Sequence, residues 1–194
     1  MSGTRRAIWL MAGCAVLAGC AAMHPARAPA PWEQRLADLQ HSSTWQLDGR
    51  AAVALGKQGW QASLDWRQSG EASEVHLAGP FGAGAMVLKM TPAGLSLNGA
   101  PASDAVMAQL QERLGFELPL DNLRYWLLGV PDPSSDFELT RNEQDRALHL
   151  TQAGWSIDYD RYMPNRGDLL PARLVLSRAD TRVRIAVDHW EGLR

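Results

Sequence analysis

The chain has 194 residues, enough for one domain with a well-buried core, and its apolar fraction of 46 % is that of a globular protein rather than a disordered one. It carries 19 Lys and Arg against 21 Asp and Glu; without two arginines of the leader, Arg5 and Arg6, the balance is 17 − 21 = −4. This mild negative charge indicates no basic stripe for a nucleic acid and no polybasic patch for an anionic membrane surface.

The first 19 residues have the features of a secretory signal peptide. A short positive region precedes an almost wholly apolar stretch at 7–18, which is too short for a comfortable membrane span. The ending Leu17-Ala18-Gly19-Cys20 resembles the bacterial lipobox, in which the cysteine is lipidated and becomes the mature N-terminus. We therefore predict a signal peptide over residues 1–19 and lipidation at Cys20. The alternative is an ordinary signal peptide that happens to contain a cysteine.

The cysteine count favours lipidation. Both cysteines, Cys14 and Cys20, lie in the leader, so the mature domain has no possible internal disulfide. A lone exported thiol would be a liability in an oxidising periplasm unless it is capped. Resemblance to bacterial lipoproteins implies a firm anchor of several acyl chains, and Ala21 in place of Asp favours sorting to the outer membrane. Residues 20–31 contain three prolines and are predicted to be the lipidated N-terminus and a stiff tether.

A short amphipathic helix is predicted over about 32–41, started by Pro31. The rest of the chain is organised around the β-hairpin that follows at 45–68, whose turn is expected at Lys57-Gln58-Gly59. Side chains alternate along both strands. One face is apolar and consists of Trp45, Leu47, Gly49, Ala51, Val53, Leu55, Trp60, Ala62, Leu64 and Trp66. Because large rings stand beside Ala and Gly, this face is either a packed core or the wall of a cavity.

Three further strands are expected in the first half, at 73–79, 85–90 and 95–98. Between the first two, residues 79–84 contain too much Gly and Pro for regular structure. Phe81 is the only large side chain in that segment.

Two helices interrupt the strands. The first is predicted at 104–114, with Ser103 as its N-cap and Gly115 as its end. Its apolar stripe consists of Val106, Met107, Leu110 and Leu114. The second, at about 120–128, follows Leu118-Pro119 and buries Leu120, Leu123, Trp126 and Leu127 on one side. Five more strands are expected at 137–141, 146–152, 155–162, 172–178 and 182–190.

This order of elements predicts an α+β fold. About ten short antiparallel strands with two inserted helices fit a strongly curved sheet, or incomplete barrel, with helices against its concave face. Residues 32–194 are expected to form one domain, because neither a repeat nor a second domain is apparent.

No arrangement of residues indicates catalysis. There is no G-x-S-x-G motif, no cysteine beyond the leader, and the five histidines lack the spacing of metal ligands. The glycines cluster at turns rather than ahead of a helix, so no phosphate-binding loop is indicated. Stacking of nucleic-acid bases on the aromatic residues is a poor interpretation for an acidic, exported chain. We therefore predict no enzymatic activity, no metal, no cofactor and no nucleic-acid partner.

The tryptophans are the most informative residues that remain. Seven of the eight lie beyond the leader, against three Phe in the whole chain. For any single Trp, core packing is the better interpretation. Taken together, Trp45, Trp60, Trp66, Trp126 and Trp155 are expected to converge on one interior, and Trp is rarely buried completely because its N–H needs a partner. A set of rings around a hollow, adaptable space is typical of an acyl-chain pocket.

Several segments, taken in order, resemble the LolB family of outer-membrane lipoprotein receptors. They are Trp45-x-x-x-Gly49-Arg50, Trp60-x-Ala62-x-Leu64-x-Trp66-x-Gln68, Gly79-Pro80-Phe81-Gly82, Leu118-Pro119-x-x-x-Leu123-x-x-Trp126-x-x-Gly129-x-Pro131, Gln152-x-Gly154-Trp155-x-Ile157-x-Tyr159, Leu170-Pro171-x-x-Leu174 and Trp190. No single motif is specific to the family. Their occurrence together and in this order over about 32–190 is specific.

The resemblance implies an incomplete antiparallel barrel with a helical lid over a hydrophobic cavity. The cavity, lined here by the five tryptophans named above with Leu64 and Leu123, would hold the acyl chains of a lipoprotein cargo. A LolA-like periplasmic carrier would deliver that cargo, and this chain, a monomer anchored in outer-membrane lipid through Cys20 and facing the periplasm, would insert it into the inner leaflet. The family's membrane-delivery residue maps to Phe81, where members commonly carry Leu. Arg50 is not uniform in the family and receives no role.

One further interpretation stays open at this point. The chain would be a structural outer-membrane lipoprotein that docks on an envelope assembly machine, with the tryptophans forming an ordinary core. Entry of an acyl ligand among the tryptophans distinguishes the two, because a solid core cannot admit it.

Overall fold

The computed structural model describes residues 31–117 and 119–193, with only the backbone of residue 113. The predicted signal peptide, the lipidation site Cys20 and the tether before Pro31 lie outside these residues. The elements follow this order: α1 (Trp32–Gln40), β1 (Thr44–Leu55), β2 (Gln58–Ser69), β3 (Ala72–Ala78), a 3₁₀ turn (Pro80–Gly82), β4 (Met86–Thr91), β5 (Gly94–Leu97), β6 (Ala100–Pro101), α2 (Asp104–Leu114), α3 (Leu120–Leu127), β7 (Phe137–Arg141), β8 (Ala147–Gln152), β9 (Trp155–Asn165), β10 (Asp168–Arg178) and β11 (Thr181–Glu191).

The described strands form one antiparallel sheet of eleven strands. Its order is β6-β5-β4-β3-β2-β1-β11-β10-β9-β8-β7, so the first and last long strands pair at its centre while β6 and β7 lie at its edges. Because the two edge strands do not pair with each other, the sheet is an open rather than a closed barrel. The predicted α+β fold is confirmed.

The central hairpin has the predicted strands but a different turn. Leu55 pairs with Gln58, so the turn is Gly56-Lys57 rather than Lys57-Gln58-Gly59. Gly56 has a φ of +54° at the first central position, where a type II′ turn requires glycine. Gly59 lies within β2 for another reason: a Cβ there would meet the carbonyl oxygen of Val53 at 2.9 Å.

One face of this sheet carries the core, as the alternation in the hairpin predicts. Side chains of β1 are alternately buried and exposed, and the buried set joins residues of α1, α2 and α3 in one continuous apolar cluster. Leu47, Ile157 and Leu174 have no accessible surface at all. Full burial of such side chains contributes about 1.5–3 kcal/mol each, so apolar packing helps to hold the helices on this face.

The local signals around α2 are correct. The hydroxyl of Ser103 accepts a hydrogen bond from the backbone N–H of Val106, and Gly115 ends the helix with a φ of +82°. The predicted stripe is wrong at Met107, whose side chain is 39 % exposed. It lies one position beyond Val106, about 100° round the helix, and so misses the sheet.

Two other expectations are corrected and one is not. Residues 79–84 contain a short turn at Pro80–Gly82 in which Phe81 has non-helical backbone angles, so they form no regular helix or strand. The hairpin of β9 and β10 reaches Asn165 and Asp168, beyond the predicted ends, because Pro164 pairs within it and Pro171 lies at a register shift where it is tolerated. The two-residue strand β6 was not predicted. No helix of the described residues is long and apolar enough to cross a membrane.

Candidate functional site

The seven predicted lining residues lie on the core side of the sheet or on the helix above it. Trp126 has no accessible surface, Trp45, Trp66 and Trp155 have 2 % or less, and Leu64 and Leu123 have 5 %. Trp60 is half-buried and packs against the same cluster. A water-filled hollow would leave accessible surface on its walls, so the interior beside these residues is closed and filled by side chains. Their role as an acyl pocket stays a prediction.

The rings near the centre of the sheet pack directly on one another. Trp45 stacks on Trp66 with 5.9 Å between ring centroids and meets Trp190 edge to face at 5.5 Å. The indole N–H of Trp190 donates to the carbonyl oxygen of Pro171 at 3.0 Å. Trp190 was not among the predicted lining residues, because strict alternation with Val187 would place it on the outer face; an irregularity at Asp188 returns it to the core face.

Helix α3 is fixed to the sheet by buried hydrogen bonds. The indole N–H of Trp126 donates to the side-chain oxygen of Gln152 at 2.8 Å, and the hydroxyl of Tyr159 donates to the carbonyl oxygen of Trp126 at 3.0 Å. Burial raises the pKa of Tyr159 well above its ordinary value, because the phenolate would lose its solvation. Tyr159 is therefore neutral, as a donor requires.

Gln152 is the centre of this network. Its oxygen also accepts from the backbone N–H of Asp132 at 2.9 Å, and its nitrogen donates to the carbonyl oxygens of Asp132 at 2.7 Å and Ser135 at 3.0 Å. The segment after α3 is thus hydrogen-bonded to β8 as well. Sequence reasoning named Gln152 only as part of a family motif. The signal available in the sequence was an amide side chain at the end of a predicted strand.

Helix α1 is fixed by charge. Arg35, almost fully buried, donates from Nε to Asp168 at 2.9 Å and from Nη2 to the carbonyl oxygen of Leu169 at 2.8 Å. Arg146 donates to the same carboxylate at 2.8 Å. Desolvation by burial, opposed by Asp168, lowers the pKa of Arg35. Removing one partner from such a buried set is costly, because the remaining charge is left uncompensated.

Helix α2 has much weaker attachments. Among the described residues, one side-chain hydrogen bond joins it to the sheet: the indole N–H of Trp60 donates to the carbonyl oxygen of Leu114 at a long 3.4 Å. Leu110 and Leu114 are its fully buried side chains, and most of its other residues are exposed. Just after it, Phe116 meets Trp155 edge to face at 5.9 Å. Of the three helices, α2 is therefore the one that can leave the sheet at least cost.

Trp155, whose ring meets Phe116 just after α2, has an unusual polar atom. Its indole nitrogen is buried and has no hydrogen-bond partner among the described residues. A buried donor without a partner costs about 1–3 kcal/mol. An acceptor that entered the interior beside Phe116 would relieve this cost.

The side chain of Phe81 projects into solvent and is 110 % exposed. It has a φ of +58°, in the left-handed region that a bulky residue rarely adopts. The loop is closed by a hydrogen bond from Gly79 N–H to the carbonyl oxygen of Ala83 at 2.9 Å. The same oxygen would lie 2.8 Å from a Cβ on Gly79, so glycine is required there. The fold thus holds an apolar ring out in solvent.

The outer face of the sheet, opposite the helices, forms a trough of about 1430 Å³. We define the arginine trough by its charged and apolar side chains: Arg50, Arg173, Arg182, Arg184, His149, Asp158, Asp160, Phe81, Leu148 and Val175. The mild net charge of the chain, which indicated no polybasic patch, gives no sign of this cluster of arginines. The four arginines come from three adjacent strands of the sheet, of which β1 is distant in sequence from β10 and β11.

Comparison with known proteins identifies close relatives. Residues 43–190 match the family model described as outer membrane lipoprotein LolB. The chain is 31 % identical to the outer-membrane lipoprotein LolB of Ectopseudomonas mendocina over 188 residues, which are 95 % of this chain and 92 % of the relative. It is 34 % identical to that of Nitrosococcus oceani over 191 residues, 91 % of this chain and 92 % of the relative.

A solved structure supports the fold. The crystal structure of a LolA superfamily protein from Nitrosomonas europaea superposes with a TM-score of 0.53 at 10 % identity, covering 86 % of this chain and 94 % of that one. At this identity the likeness concerns the fold alone.

Proposed function

The chain belongs to the LolB family of outer-membrane lipoproteins, and on that premise we propose that it takes lipoproteins from a LolA-like periplasmic carrier and inserts them into the inner leaflet of the outer membrane. It is a lipid-anchored protein of the outer membrane, facing the periplasm, and not an enzyme. Residues 1–19 would be its signal peptide, residues 20–31 its lipidated N-terminus and tether through Cys20, and residues 32–194 a monomeric binding domain.

One observation carries the proposal: a continuous apolar interior is covered by a helix that is only weakly attached. The sheet and α3 form the fixed part, through Trp126, Tyr159 and Gln152. Helix α2 covers the rest with little more than Leu110, Leu114 and the long bond from Trp60. Movement of α2 would open the interior between Phe116 and the sheet without breaking the buried polar network.

The free energy needed to move α2 away would be offset by the burial of the acyl chains that enter. Exposing Leu110 and Leu114 to water would cost about 3–6 kcal/mol, which keeps the empty protein closed. Acyl chains that take up the same surface remove this cost, and each of their buried CH₂ groups contributes about 0.8 kcal/mol. The closed interior is therefore what an empty receptor of this kind requires, because an open apolar cavity would be unstable in the periplasm.

The predicted lining residues are assigned roles on this basis. Trp60, Trp155, Leu64 and Leu123 would form the surface that an acyl chain takes up in place of α2. Trp155 would also donate its unpartnered N–H to a carbonyl oxygen of the cargo's lipid. Trp45, Trp66 and Trp126 form the deeper floor.

The transfer of cargo in one direction, from the carrier to this chain, needs no nucleotide. A bias of about 1.4 kcal/mol between two apolar sites moves the equilibrium tenfold, so a slightly deeper pocket here than in the carrier suffices. Delivery to the bilayer would use Phe81, whose ring is held in solvent by its loop. Insertion of this ring between lipid tails would bring the loaded interior to the membrane surface.

Quenching of tryptophan fluorescence tests the proposal. The chain from residue 21 onward is titrated with a fatty acid brominated at mid-chain, which quenches indoles that it contacts. We expect saturable quenching, because Trp60 and Trp155 lie beside the opening. A solid core would show none, and the receptor function would then be rejected. Acetate serves as the control for the carboxylate alone.

A further inference from the structure

The arginine trough lies on the face that the proposed acyl pocket does not use. Its lining carries four arginines and two aspartates, a net charge of 4 − 2 = +2, on a chain whose formal net charge is −2. Positive charge is therefore concentrated here by the fold rather than by the composition.

Strand register explains why the trough is hollow. Arg184 stands opposite Ala52 on β1 and Val175 on β10, and Ala186 stands between Arg50 and Arg173. Small side chains such as Ala52 and Ala186 thus alternate with the long side chains of the arginines across the three strands and leave space between them. A floor of long side chains would have filled this space.

Most of the positive charge in the trough is unpaired. Arg173, Arg182 and Arg184 form no ion pair with any residue of 31–117 or 119–193. Arg50 reaches Asp188 at 2.9 Å, but both side chains are largely exposed and the pair is weak. The carboxylate of Asp158 is within 2.7 Å of His149, which leaves Asp160 as the other anion in the trough.

Apolar groups at the ends of the trough complete the surface. Phe81 and Leu148, two of the large apolar side chains exposed on the described surface, both line it. Cations beside exposed apolar side chains are typical of surfaces that lie in a membrane interface, where rings enter the acyl region and arginines meet phosphates. Guanidinium groups suit phosphate because they can donate two parallel hydrogen bonds.

We propose that the arginine trough binds the phosphate groups of a phospholipid bilayer and so sets the outer face of the sheet against the membrane. The inference rests on the proposed function, because it supplies the orientation in which Phe81 would deliver cargo. Charge complementarity favours phosphate over a neutral partner, and the neighbouring ring of Phe81 favours a bilayer over an acidic protein.

The test uses the full-length, lipidated chain in vesicles of phosphatidylcholine with or without phosphatidylglycerol. Ala54→Cys, exposed beside Arg182 on the outer face, carries a fluorophore; Gln109→Cys on α2 carries the same fluorophore in a second sample. Lipids with a nitroxide on the headgroup quench a label that lies at the membrane surface. We expect stronger quenching at position 54 than at 109, increased by phosphatidylglycerol and reduced by high salt.

The decisive variant is Arg173→Gln, Arg182→Gln, Arg184→Gln. Each arginine near an anionic surface is worth about fivefold in membrane partitioning, so quenching at position 54 should fall to the level at 109. The matched control removes three other exposed cations, Arg67→Gln, Lys89→Gln and Arg141→Gln, which are paired with carboxylates outside the trough. It should leave quenching unchanged.

One result would overturn the proposal: the trough variant keeps full quenching at position 54. If that variant also accepts lipoprotein from the carrier more slowly, the trough is assigned to the carrier protein instead. Cargo transfer measured on the parent chain separates this from the proposed function: a parent that contacts vesicles normally but transfers nothing refutes the receptor and not the trough.

Discussion

The indole N–H of Trp60 donates to the carbonyl oxygen of Leu114, which makes a hairpin side chain the polar attachment of helix α2. At 3.4 Å this bond is long, and the carbonyl belongs to the last turn of the helix, just before Gly115. The contact therefore restrains the end of α2 from which opening would start.

Trp60→Phe should loosen α2 while keeping most of the apolar contact. We expect faster uptake of an acyl ligand, with a loss of unfolding free energy of at most about 1 kcal/mol, because a long, half-exposed bond contributes little. Hydrogen exchange should increase in α2 and not in α3. Trp190→Phe is the control, since it removes an indole bond to Pro171 that does not involve α2. Equal uptake rates for the Trp60 and Trp190 variants would contradict the assignment of α2 as the moving part.

Phe81→Glu should separate binding from delivery. A charge on this exposed loop opposes entry into lipid but touches nothing in the core, so ligand uptake should be unchanged while transfer of bound lipoprotein to liposomes slows. Phe137→Glu changes another exposed ring, 43 % accessible on the edge strand β7. Transfer rates are compared for both variants and the parent. A similar slowing in both would mean that Phe81 has no particular role.

Trp126 and Trp155 should differ in what their N–H groups contribute. Trp126→Phe removes a donor from Gln152, whereas Trp155→Phe removes a donor that has no partner. The two changes delete similar volumes, so we expect Trp126→Phe to destabilise more, by about 1–3 kcal/mol. Urea unfolding with matching slopes measures this. Equal losses would indicate that the Trp155 nitrogen is satisfied in solution. Weaker ligand binding by Trp155→Phe would support donation to the cargo.

Stability should fall at alkaline pH. Burial raises the pKa of Tyr159 and Tyr162 above the ordinary value near 10. Above that pH the unfolded chain loses protons that the folded chain retains, so the free energy of unfolding decreases as pH rises. Urea midpoints between about pH 9 and pH 11 should show this slope. Tyr159→Phe should be less stable at neutral pH, because its bond to Trp126 is lost, but should show a shallower alkaline slope. An unchanged slope would contradict burial of that phenol in solution.

Local signals in the sequence predicted the parts of the fold that local chemistry determines. Alternation over β1 and β2, and the cap at Ser103 with Gly115 at the other end, predicted these elements almost to the residue. The turn at Gly56 was missed because Gly59 looked equally suited to it. Only the partner strand shows that Gly59 is needed against Val53.

Features that depend on pairing between strands distant in sequence could not be predicted from local sequence signals. Arg50 and Arg173 are far apart along the chain and become neighbours only because β11 lies between their strands. The net charge of the whole chain is near zero and therefore did not indicate that these arginines cluster. The filled interior was likewise not predictable, since the same tryptophans would suit an open or a closed state.

The pairing of β1 with β11 at the centre of the sheet also bears on how the molecule forms. Strands β2 to β6 and β7 to β10 are meanders of local neighbours, each able to assemble while the chain is still emerging. Their union waits for the contact of Gln46 with Glu191, and such long-range closure is slow. Until β11 arrives, β1 has an unpaired edge, and the nascent protein would be most exposed to aggregation at the seam that later joins its two halves.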